Sequence, residues 1–130
     1  MLVFKDVSDM IVINKYIEDN KLEELYFEDG LFFGALEDDH LFGLCQVNFD
    51  EKGITMGMIY ISESHRGNGY GNAMVRSLFN KLEINGINFI YSPSTNPYLD
   101  KLGFRFHGED YGCNLKELFS GSCSCCGDDN

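Results

Sequence analysis

Two segments of different periodicity are joined by the stretch Tyr60-Ile61-Ser62-Glu63-Ser64-His65-Arg66-Gly67-Asn68-Gly69-Tyr70-Gly71. Before it, Ile54–Ile61 alternates between apolar and other side chains in the manner of a strand. After it, from Gly69 to about Glu83, apolar side chains recur at helical spacing. Glycines between a strand and a helix let successive backbone N–H groups point inward, at the positive end of the helix dipole. With the charge of Arg66 added, the stretch predicts a binding site for an anion such as a diphosphate.

Two other phosphate-binding patterns fit this stretch poorly. The Walker loop continues from its last glycine into Lys and then Ser or Thr, and no Lys follows these glycines. The dinucleotide fingerprint needs glycines at its first, third and sixth positions, and the sixth residue counted from Gly67 is Asn72. That fingerprint also opens the first βαβ unit of a domain, whereas this stretch lies halfway along the chain. Both patterns are therefore rejected.

The arrangement Arg-x-x-Gly-x-Gly between a strand and a helix resembles the coenzyme A signature of the GNAT superfamily of N-acetyltransferases. A second segment is similar to the family's second motif, which ends in Lys-Leu-Gly-Phe: Asn96-Pro97-Tyr98-Leu99-Asp100-Lys101-Leu102-Gly103-Phe104. The resemblance covers about residues 54–106 and extends to the order of the elements. It implies a mixed α/β sheet with the order β-α-α-β-β-β-α-β-α-β-β, and acetyl-coenzyme A as the cosubstrate.

The resemblance also implies which residues hold the cosubstrate. A gap between the strand at Ile54–Ile61 and a later strand at Ile87–Tyr91 would admit the pantetheine arm. The arm would pair with backbone groups there like an added strand, at Ile59, Tyr60 and Ile61. The pyrophosphate would be held by the residues of the turn, which are Arg66, Gly67, Asn68, Gly69, Tyr70 and Gly71. Asn96, before the next helix, would contact the arm as well.

Acetyl transfer to an amine requires a polarised thioester carbonyl and a proton for the departing thiolate. In the family a strand amide polarises the carbonyl, here that of Ile61 or its neighbour. A tyrosine four residues before the Gly of the second motif often protonates the thiolate. Leu99 occupies that position, and the tyrosine lies one residue earlier, at Tyr98. One residue turns a helical side chain by about 100°, so two roles for Tyr98 stay open: general acid, or a ring packed against the cofactor or the core.

No general base stands out from the sequence. Carboxylates near the expected site also fit a solvated surface, and they are Glu28, Asp29, Glu37, Asp38, Asp39 and Glu63. The enzyme could also take the minority unprotonated amine or use a chain of water molecules. His65 occupies a position that is often aromatic in the family, and we expect it to pack rather than to react.

The remaining elements follow from periodicity and from turn-forming residues. A first strand is predicted over residues 2–6, and Ser8 is predicted to cap a helix that ends near Asp19. A second helix is predicted over about Lys21–Glu28. Within Ile54–Ile61, one face is predicted to carry Ile54, Met56, Met58 and Tyr60. Further strands are predicted at Leu31–Leu36, Leu41–Phe49, Ile87–Tyr91, Phe104–His107 and Tyr111–Leu115, with a four-residue turn at Glu37–His40 and one helical turn at Tyr98–Leu102.

The charge of the chain is strongly negative and unevenly placed. The formal net charge is −11, and residues 1–50 hold twelve acidic side chains against three basic ones. Such a surface would repel nucleic acid, whose binding depends on neutralised phosphates, and would attract a cationic acceptor. No apolar run approaches the roughly 18 residues that span a bilayer, and no signal peptide is recognised. We therefore expect a cytoplasmic protein with no membrane or nucleic-acid partner, and a homodimer is left open.

Five cysteines are present, and three crowd together near the C-terminus at Cys123, Cys125 and Cys126. We expect a single domain over residues 1–119 and a flexible, acidic, Cys-rich tail over residues 120–130. Clustered thiols can bind soft metals such as zinc or copper(I), with Cys113, an acidic tail residue or a partner chain as the further ligand, or the tail can be a reduced, disordered segment. The expected function is acetyl transfer from acetyl-coenzyme A to a primary amine on a small or peptidic acceptor. The alternative is an inactive coenzyme A-binding sensor in which Tyr98 is out of register and the tail responds to metal or redox state.

Overall fold

A computed structural model describes residues 1–22 and 30–119 of the chain. The strands are β1 (Leu2–Val7), β2 (Leu31–Glu37), β3 (His40–Phe49), β4 (Ile54–Ile61), β5 (Phe89–Tyr91), β6 (Arg105–His107) and β7 (Asp110–Asn114). The helices are α1 (Met10–Asp19), α2 (Tyr70–Ile84), α3 (Pro97–Leu102) and α4 (Leu115–Phe119), with a 3-10 turn at Glu63–His65. Within this part of the chain, no helix is both long enough and apolar enough to span a bilayer.

The strands form one mixed sheet in the order β1-β2-β3-β4-β5-β7-β6. β4 and β5 pair in parallel, and the other neighbouring strands in the described residues pair antiparallel. α2 connects the two parallel strands, as a crossover between parallel neighbours must. The mixed α/β class and the one parallel pair around the glycine-rich turn are thereby confirmed.

The sheet carries apolar clusters on both faces. On one face, α2 packs through Met74, Val75, Leu78, Phe79 and Leu82, and residues of α3 and α4 join the same cluster. On the other face, α1 packs through Ile13, Tyr16 and Ile17 against Phe32 and Leu44. We call these the α2 face and the α1 face. Because neighbouring residues of a strand point to opposite faces, each side chain of the central strands can be assigned to one of them.

A bulge in the middle of β4 interrupts its alternation. Cys45 and Val47 are two residues apart on β3, but their partners on β4, Ile59 and Met56, are three residues apart. The extra residue reverses which face the following side chains take. The predicted alternation is therefore wrong in the second half of the strand. The cluster on the α2 face contains Ile54, Met56, Ile59 and Ile61, whereas Met58 and Tyr60 pack with the cluster on the α1 face.

Two predicted boundaries are corrected by local hydrogen bonds and backbone angles. Asp9, rather than Ser8, caps α1, because its carboxylate accepts from the N–H groups of Ile11 and Val12 at 3.0 and 3.4 Å. The β2–β3 turn has two residues rather than four, Asp38 and Asp39, and both have positive φ. Two such residues form the turn whose twist matches the right-handed twist of the paired strands.

Other differences are changes of extent. The strand predicted from Ile87 begins only at Phe89, because Ile87 N–H still bonds back to Leu82 C=O at the end of α2. α2 itself begins at Tyr70, with Gly69 as its N-cap. α4 was not predicted, since Leu115–Phe119 is too short to show a period. The predicted second helix over Lys21–Glu28 and the predicted tail over 120–130 lie outside the described residues, apart from Lys21 and Leu22.

Candidate coenzyme A and acyl-transfer site

The turn before α2 depends on glycines in two different ways. Gly67 and Gly69 have φ of 84° and 76°, in the left-handed region that other residues adopt at a cost. Gly71 has an ordinary φ, but a Cβ there would lie 3.0 Å from the Tyr98 hydroxyl oxygen and 3.4 Å from Ile61 Cγ1. The first two glycines thus allow the backbone to curl, and the third allows α3 and α2 to approach closely.

The N-terminus of α2 is open to an anion. Gly69 has no side chain, and the first turn of α2 receives no side-chain capping bond. The N–H groups of a first helical turn need an acceptor and carry the positive end of the dipole. A cleft of about 240 Å³ adjoins them, and its lining is Ile61, His65, Arg66, Gly67, Gly69, Tyr70, Gly71, Asn72 and Tyr98. This combination of free N–H groups and an adjacent cleft suits a phosphate or diphosphate.

One edge of β4 is paired only at its start. Ile54 and Thr55 match Ile90 and Tyr91 in the parallel ladder, after which β5 ends. From Met56 to Ile61, no strand in the described residues pairs with this edge, while the other edge continues to pair with β3. This edge of β4 is therefore open beyond the end of β5. Backbone groups on such an edge can bind an extended chain that adds as a further strand.

The short helix α3 brings Tyr98 to this gap. Asn96 caps the helix by accepting from Tyr98 N–H at 2.7 Å, and Pro97 occupies the first turn. The Tyr98 hydroxyl is buried and has no hydrogen-bond partner among the described residues. Burial raises the pKa of Tyr98, and the nearby Cys45 thiol adds to the shift, so the hydroxyl stays protonated at neutral pH. A buried hydroxyl without a partner is costly to the fold, and this one adjoins the cleft in front of α2.

Leu99, where the family pattern puts its tyrosine, points elsewhere. Its side chain is 6% exposed and belongs to the cluster on the α2 face. The one-residue shift therefore turns Leu99 into the core and Tyr98 towards the cleft. Tyr98 is the side chain of this helix that borders Gly71.

Arg66 and His65 are both held by neighbouring groups. Arg66 Nε donates to the backbone carbonyl of Ile61 at 2.8 Å, and its guanidinium lies 5.1 Å from the centre of the Tyr60 ring. The His65 ring stacks on Phe42 with centroids 4.2 Å apart, and its Nε2 is 3.2 Å from a Glu37 carboxylate oxygen. His65 thus packs as an aromatic wall of the cleft.

The predicted site residues do not all meet in one place. The cleft unites Ile61, Arg66, Gly67, Gly69, Tyr70, Gly71 and Tyr98. Ile59 and Tyr60 lie along the open edge of β4 beside it, with the Ile59 side chain on the α2 face and that of Tyr60 on the α1 face. Asn68 is exposed in the turn and does not line the cleft, and Asn96 serves as the α3 cap. Of the carboxylates considered as bases, Glu28 and Asp29 lie outside the described residues.

A polar network near the end of β4 was missed in the sequence. The hydroxyls of Tyr16 and Ser62 are 2.6 Å apart. Tyr60 donates to Asn20 Oδ1 at 3.2 Å, and Asn20 Nδ2 donates to the Tyr16 carbonyl at 2.9 Å. Burial raises the pKa of Tyr16 to about 12. The helical spacing of Tyr16 with Ile13 and Ile17 signals burial, but nothing in the sequence identifies its partner on β4.

The cysteines in the described residues are core residues. Cys45 and Cys113 are free and buried at 0% and 1% exposure, and burial raises the pKa of both thiols. In residues 1–22 and 30–119, no three His, Cys, Asp or Glu side chains gather as a metal site. The proposed ligands Cys123, Cys125 and Cys126 lie outside these ranges.

Residues 5–104 match the model of the Acetyltransferase (GNAT) family, which is most of the chain. The chain belongs to the GNAT acetyltransferase family. This match spans the glycine-rich turn and the second motif, so the family resemblance seen in the sequence is confirmed. No curated protein matches the sequence significantly.

Solved GNAT structures share the fold at low sequence identity. An acetyltransferase of the GNAT family from Staphylococcus aureus Mu50 is 13% identical with a TM-score of 0.65, covering 89% of this chain and 100% of its own. A GNAT family acetyltransferase from Brucella melitensis, in complex with acetyl-CoA, is 11% identical with a TM-score of 0.63, covering 88% of each chain.

A third similar structure is a KacTA–DNA complex, 15% identical with a TM-score of 0.63, covering 92% of this chain and 97% of its own. A chain in a DNA complex has a similar fold. The expected absence of a nucleic-acid partner therefore stays a prediction, which rests on the negative charge of the chain. The cytoplasmic location and the oligomeric state likewise stay predictions.

Proposed function

We propose that this GNAT protein transfers an acetyl group from acetyl-coenzyme A to a primary amine. The observation that carries the proposal is the unpartnered Tyr98 hydroxyl, placed where the open edge of β4 meets the turn before α2. In this proposal the pyrophosphate binds the N–H groups of Gly67–Gly71, and Arg66 adds positive charge. The pantetheine arm runs along Ile59–Ile61, and its sulfur comes to lie near Tyr98.

The reaction needs few groups from the protein. The amine nitrogen attacks the thioester carbon, a C–N bond forms, and the C–S bond breaks. A backbone N–H on the open edge of β4 stabilises the charge that develops on the carbonyl oxygen, because fixed donors in a dry site cost no reorganisation. The amine reacts as its free base, so its surplus proton leaves to solvent or to a carboxylate at the site.

Tyr98 completes the reaction as a proton donor. Its hydroxyl is protonated at neutral pH because burial raises its pKa. Donation to the departing thiolate lowers the barrier for C–S cleavage, an effect typically worth about 10²–10⁴-fold. The alternative function, an inactive coenzyme A sensor, assumed that Tyr98 was turned away from the site. Its hydroxyl borders Gly71, so no observation in the described residues favours that alternative.

The proposal is tested with purified protein, acetyl-coenzyme A and a panel of primary amines. We expect stoichiometric release of the coenzyme A thiol and an increase in the mass of the amine by one acetyl group. Matched tertiary amines, which have no N–H to lose, serve as the control. Tight binding of coenzyme A without thiol release across the whole panel would instead support the sensor.

A further inference from the structure

The short helix α3 has different neighbours on its two sides. It has six residues, and a helix of that length depends on contacts with other elements to be stable. Successive residues of a helix lie about 100° apart around its axis, so Tyr98 and Asp100 lie on nearly opposite sides, with Leu99 between them. Leu99 packs into the core. Tyr98 borders Gly71, and Asp100 contacts β7 on the other side, so the contact at Asp100 bears on where Tyr98 points.

The contact with β7 is made by the hydroxyl of Tyr111. This hydroxyl donates to the Asp100 carboxylate and lies 3.2 Å from the Asn96 carbonyl oxygen. The same carbonyl accepts from Asp100 N–H at 3.0 Å, which is the first helical hydrogen bond of α3. The Tyr111 side chain is buried, and its ring packs beside those of Phe104 and Phe106. A fixed side chain of β7 thus holds the start of α3.

The position of the Tyr98 hydroxyl depends on this support. The hydroxyl has no hydrogen-bond partner among the described residues, so the backbone of α3 and the packing of the ring determine where it lies. Proton donation to a departing thiolate needs a defined geometry, and a misplacement of about 1 Å can cost about 10²-fold in rate. Tyr111 is not part of the lining of the cleft in front of α2. Any influence of Tyr111 on the reaction therefore passes through α3.

We propose that Tyr111 is a positioning residue for acetyl transfer, whose hydroxyl holds α3 in the rotation that brings the Tyr98 hydroxyl to the cleft. This inference rests on the proposed function for the role of Tyr98 as proton donor. Asp100 is exposed, so water can replace the Tyr111 hydroxyl on its carboxylate. Loss of that hydroxyl therefore leaves α3 folded but fixes its rotation less tightly. The chemical step becomes slower, and the affinity for coenzyme A stays nearly the same.

Tyr111→Phe tests this inference, because it removes the hydroxyl and keeps the ring. We expect kcat to fall about tenfold, while calorimetry gives nearly the wild-type affinity for coenzyme A. In the Tyr98→Phe background, the same substitution should lower kcat little further, since the group through which Tyr111 acts is already lost. An equal fall of kcat in both backgrounds overturns the inference, because it shows an effect that does not pass through Tyr98. Wild-type turnover in Tyr111→Phe overturns it as well.

Two substitutions of Asp100 form a matched pair, because both change the net charge equally. Asp100→Asn keeps an oxygen that can accept from the Tyr111 hydroxyl, so most of the turnover should remain. Asp100→Ala removes that acceptor and should reproduce the fall of kcat seen in Tyr111→Phe. If Asp100→Ala is as active as Asp100→Asn, Tyr111 does not hold α3 through this carboxylate and the inference fails.

Amide hydrogen exchange separates this inference from the proposed function, because it needs no turnover. The N–H groups of Asp100 and Gly103 bond within α3. In Tyr111→Phe they should exchange about tenfold faster, the effect of one lost hydrogen bond, while those of α2 keep their wild-type rates. If the wild type acetylates no amine, the proposed function fails, and the faster exchange alone still supports the hold of Tyr111 on α3. If amines are acetylated but exchange in α3 is unchanged in Tyr111→Phe, the positioning role fails while acetyl transfer stands.

Discussion

At the scale of single residues, the register of α3 determines which side chain borders the turn before α2. Asn96 sets this register by capping the helix at Tyr98, and Pro97 has the φ that a first helical turn needs. Tyr98 then faces Gly71, while Leu99 fills the core. Moving the tyrosine to position 99, where the family pattern has it, would bury a hydroxyl among apolar side chains. The shifted tyrosine is thus compatible with the site because the register of α3 directs Tyr98, and not Leu99, towards the turn before α2.

Gly71 and Gly69 offer a matched pair of substitutions at this site. In Gly71→Ala the new Cβ would lie 3.0 Å from the Tyr98 hydroxyl oxygen, so the tyrosine must move and we expect turnover to fall about tenfold. In Gly69→Ala the Cβ meets no atom, but φ of 76° strains it, so we expect a loss of stability of about 1 kcal/mol. Steady-state kinetics and thermal unfolding measure the two effects. Equal turnover in the two variants would contradict the close approach of Tyr98 to Gly71.

At the scale of elements, the bulge in β4 places Met58 and Tyr60 on the α1 face, although the alternation of the strand predicted them on the same face as Ile54 and Met56. After it, Ile59 and Ile61 remain on the α2 face, and Tyr60 reaches the α1 face, where it bonds Asn20. The alternation of Ile54–Ile61 predicted the strand correctly. It could not predict the bulge, because an extra residue changes the pairing with β3 and not the local composition.

Tyr16 links α1 to the end of β4, and its loss should be measurable. Tyr16→Phe removes the 2.6 Å contact with Ser62, and we expect it to lower the free energy of unfolding by about 1 kcal/mol at neutral pH. Burial raises the pKa of Tyr16 from 10.0 to about 12, so the folded state holds this proton more tightly than the unfolded state does. The contribution is complete below pH 10 and is lost as pH rises through 12.

Denaturant unfolding of wild type and Tyr16→Phe across alkaline pH tests this contact. The difference in stability between the two proteins should shrink as pH rises through that range. A difference that stays constant with pH would show that the Tyr16 hydroxyl is not buried in the folded state. Ser62→Ala is the companion variant, and combining it with Tyr16→Phe should cost less than the sum of the two single losses.

At the scale of the whole molecule, much of the fold was predictable from two motifs and from periodicity. The glycines at 67, 69 and 71 mark the turn between a strand and a helix in the sequence itself, and the apolar side chains of α2 recur at regular helical spacing. The contact of Tyr98 with Gly71 and the ion pair between Lys52 and Asp110 were not predictable, because each joins residues far apart in the chain. Sequence pattern specifies which face a residue takes more readily than which partner it meets there.

The net charge of −11 predicts how a cationic acceptor should respond to salt. Attraction between the acidic surface and the acceptor weakens as the screening length falls from about 30 Å at 0.01 M to about 3 Å at 1 M. We therefore expect the KM of the acceptor to rise over this range while kcat changes little, and to rise more steeply for a triamine than for a monoamine. A salt-independent KM, or a neutral or anionic compound as the best acceptor, would contradict the role of the acidic surface.

The claim that acetyl transfer takes place beside Tyr98 is tested most directly by the turnover of Tyr98→Phe against wild type. Phe keeps the ring, so calorimetry should give nearly the same affinity for coenzyme A. Loss of the proton donor should lower kcat by about 10²-fold, near the bottom of the range for general acid–base catalysis, since a thiolate leaves readily. A Tyr98→Phe protein that binds coenzyme A normally and turns over at the wild-type rate throughout the pH range of activity would contradict the account.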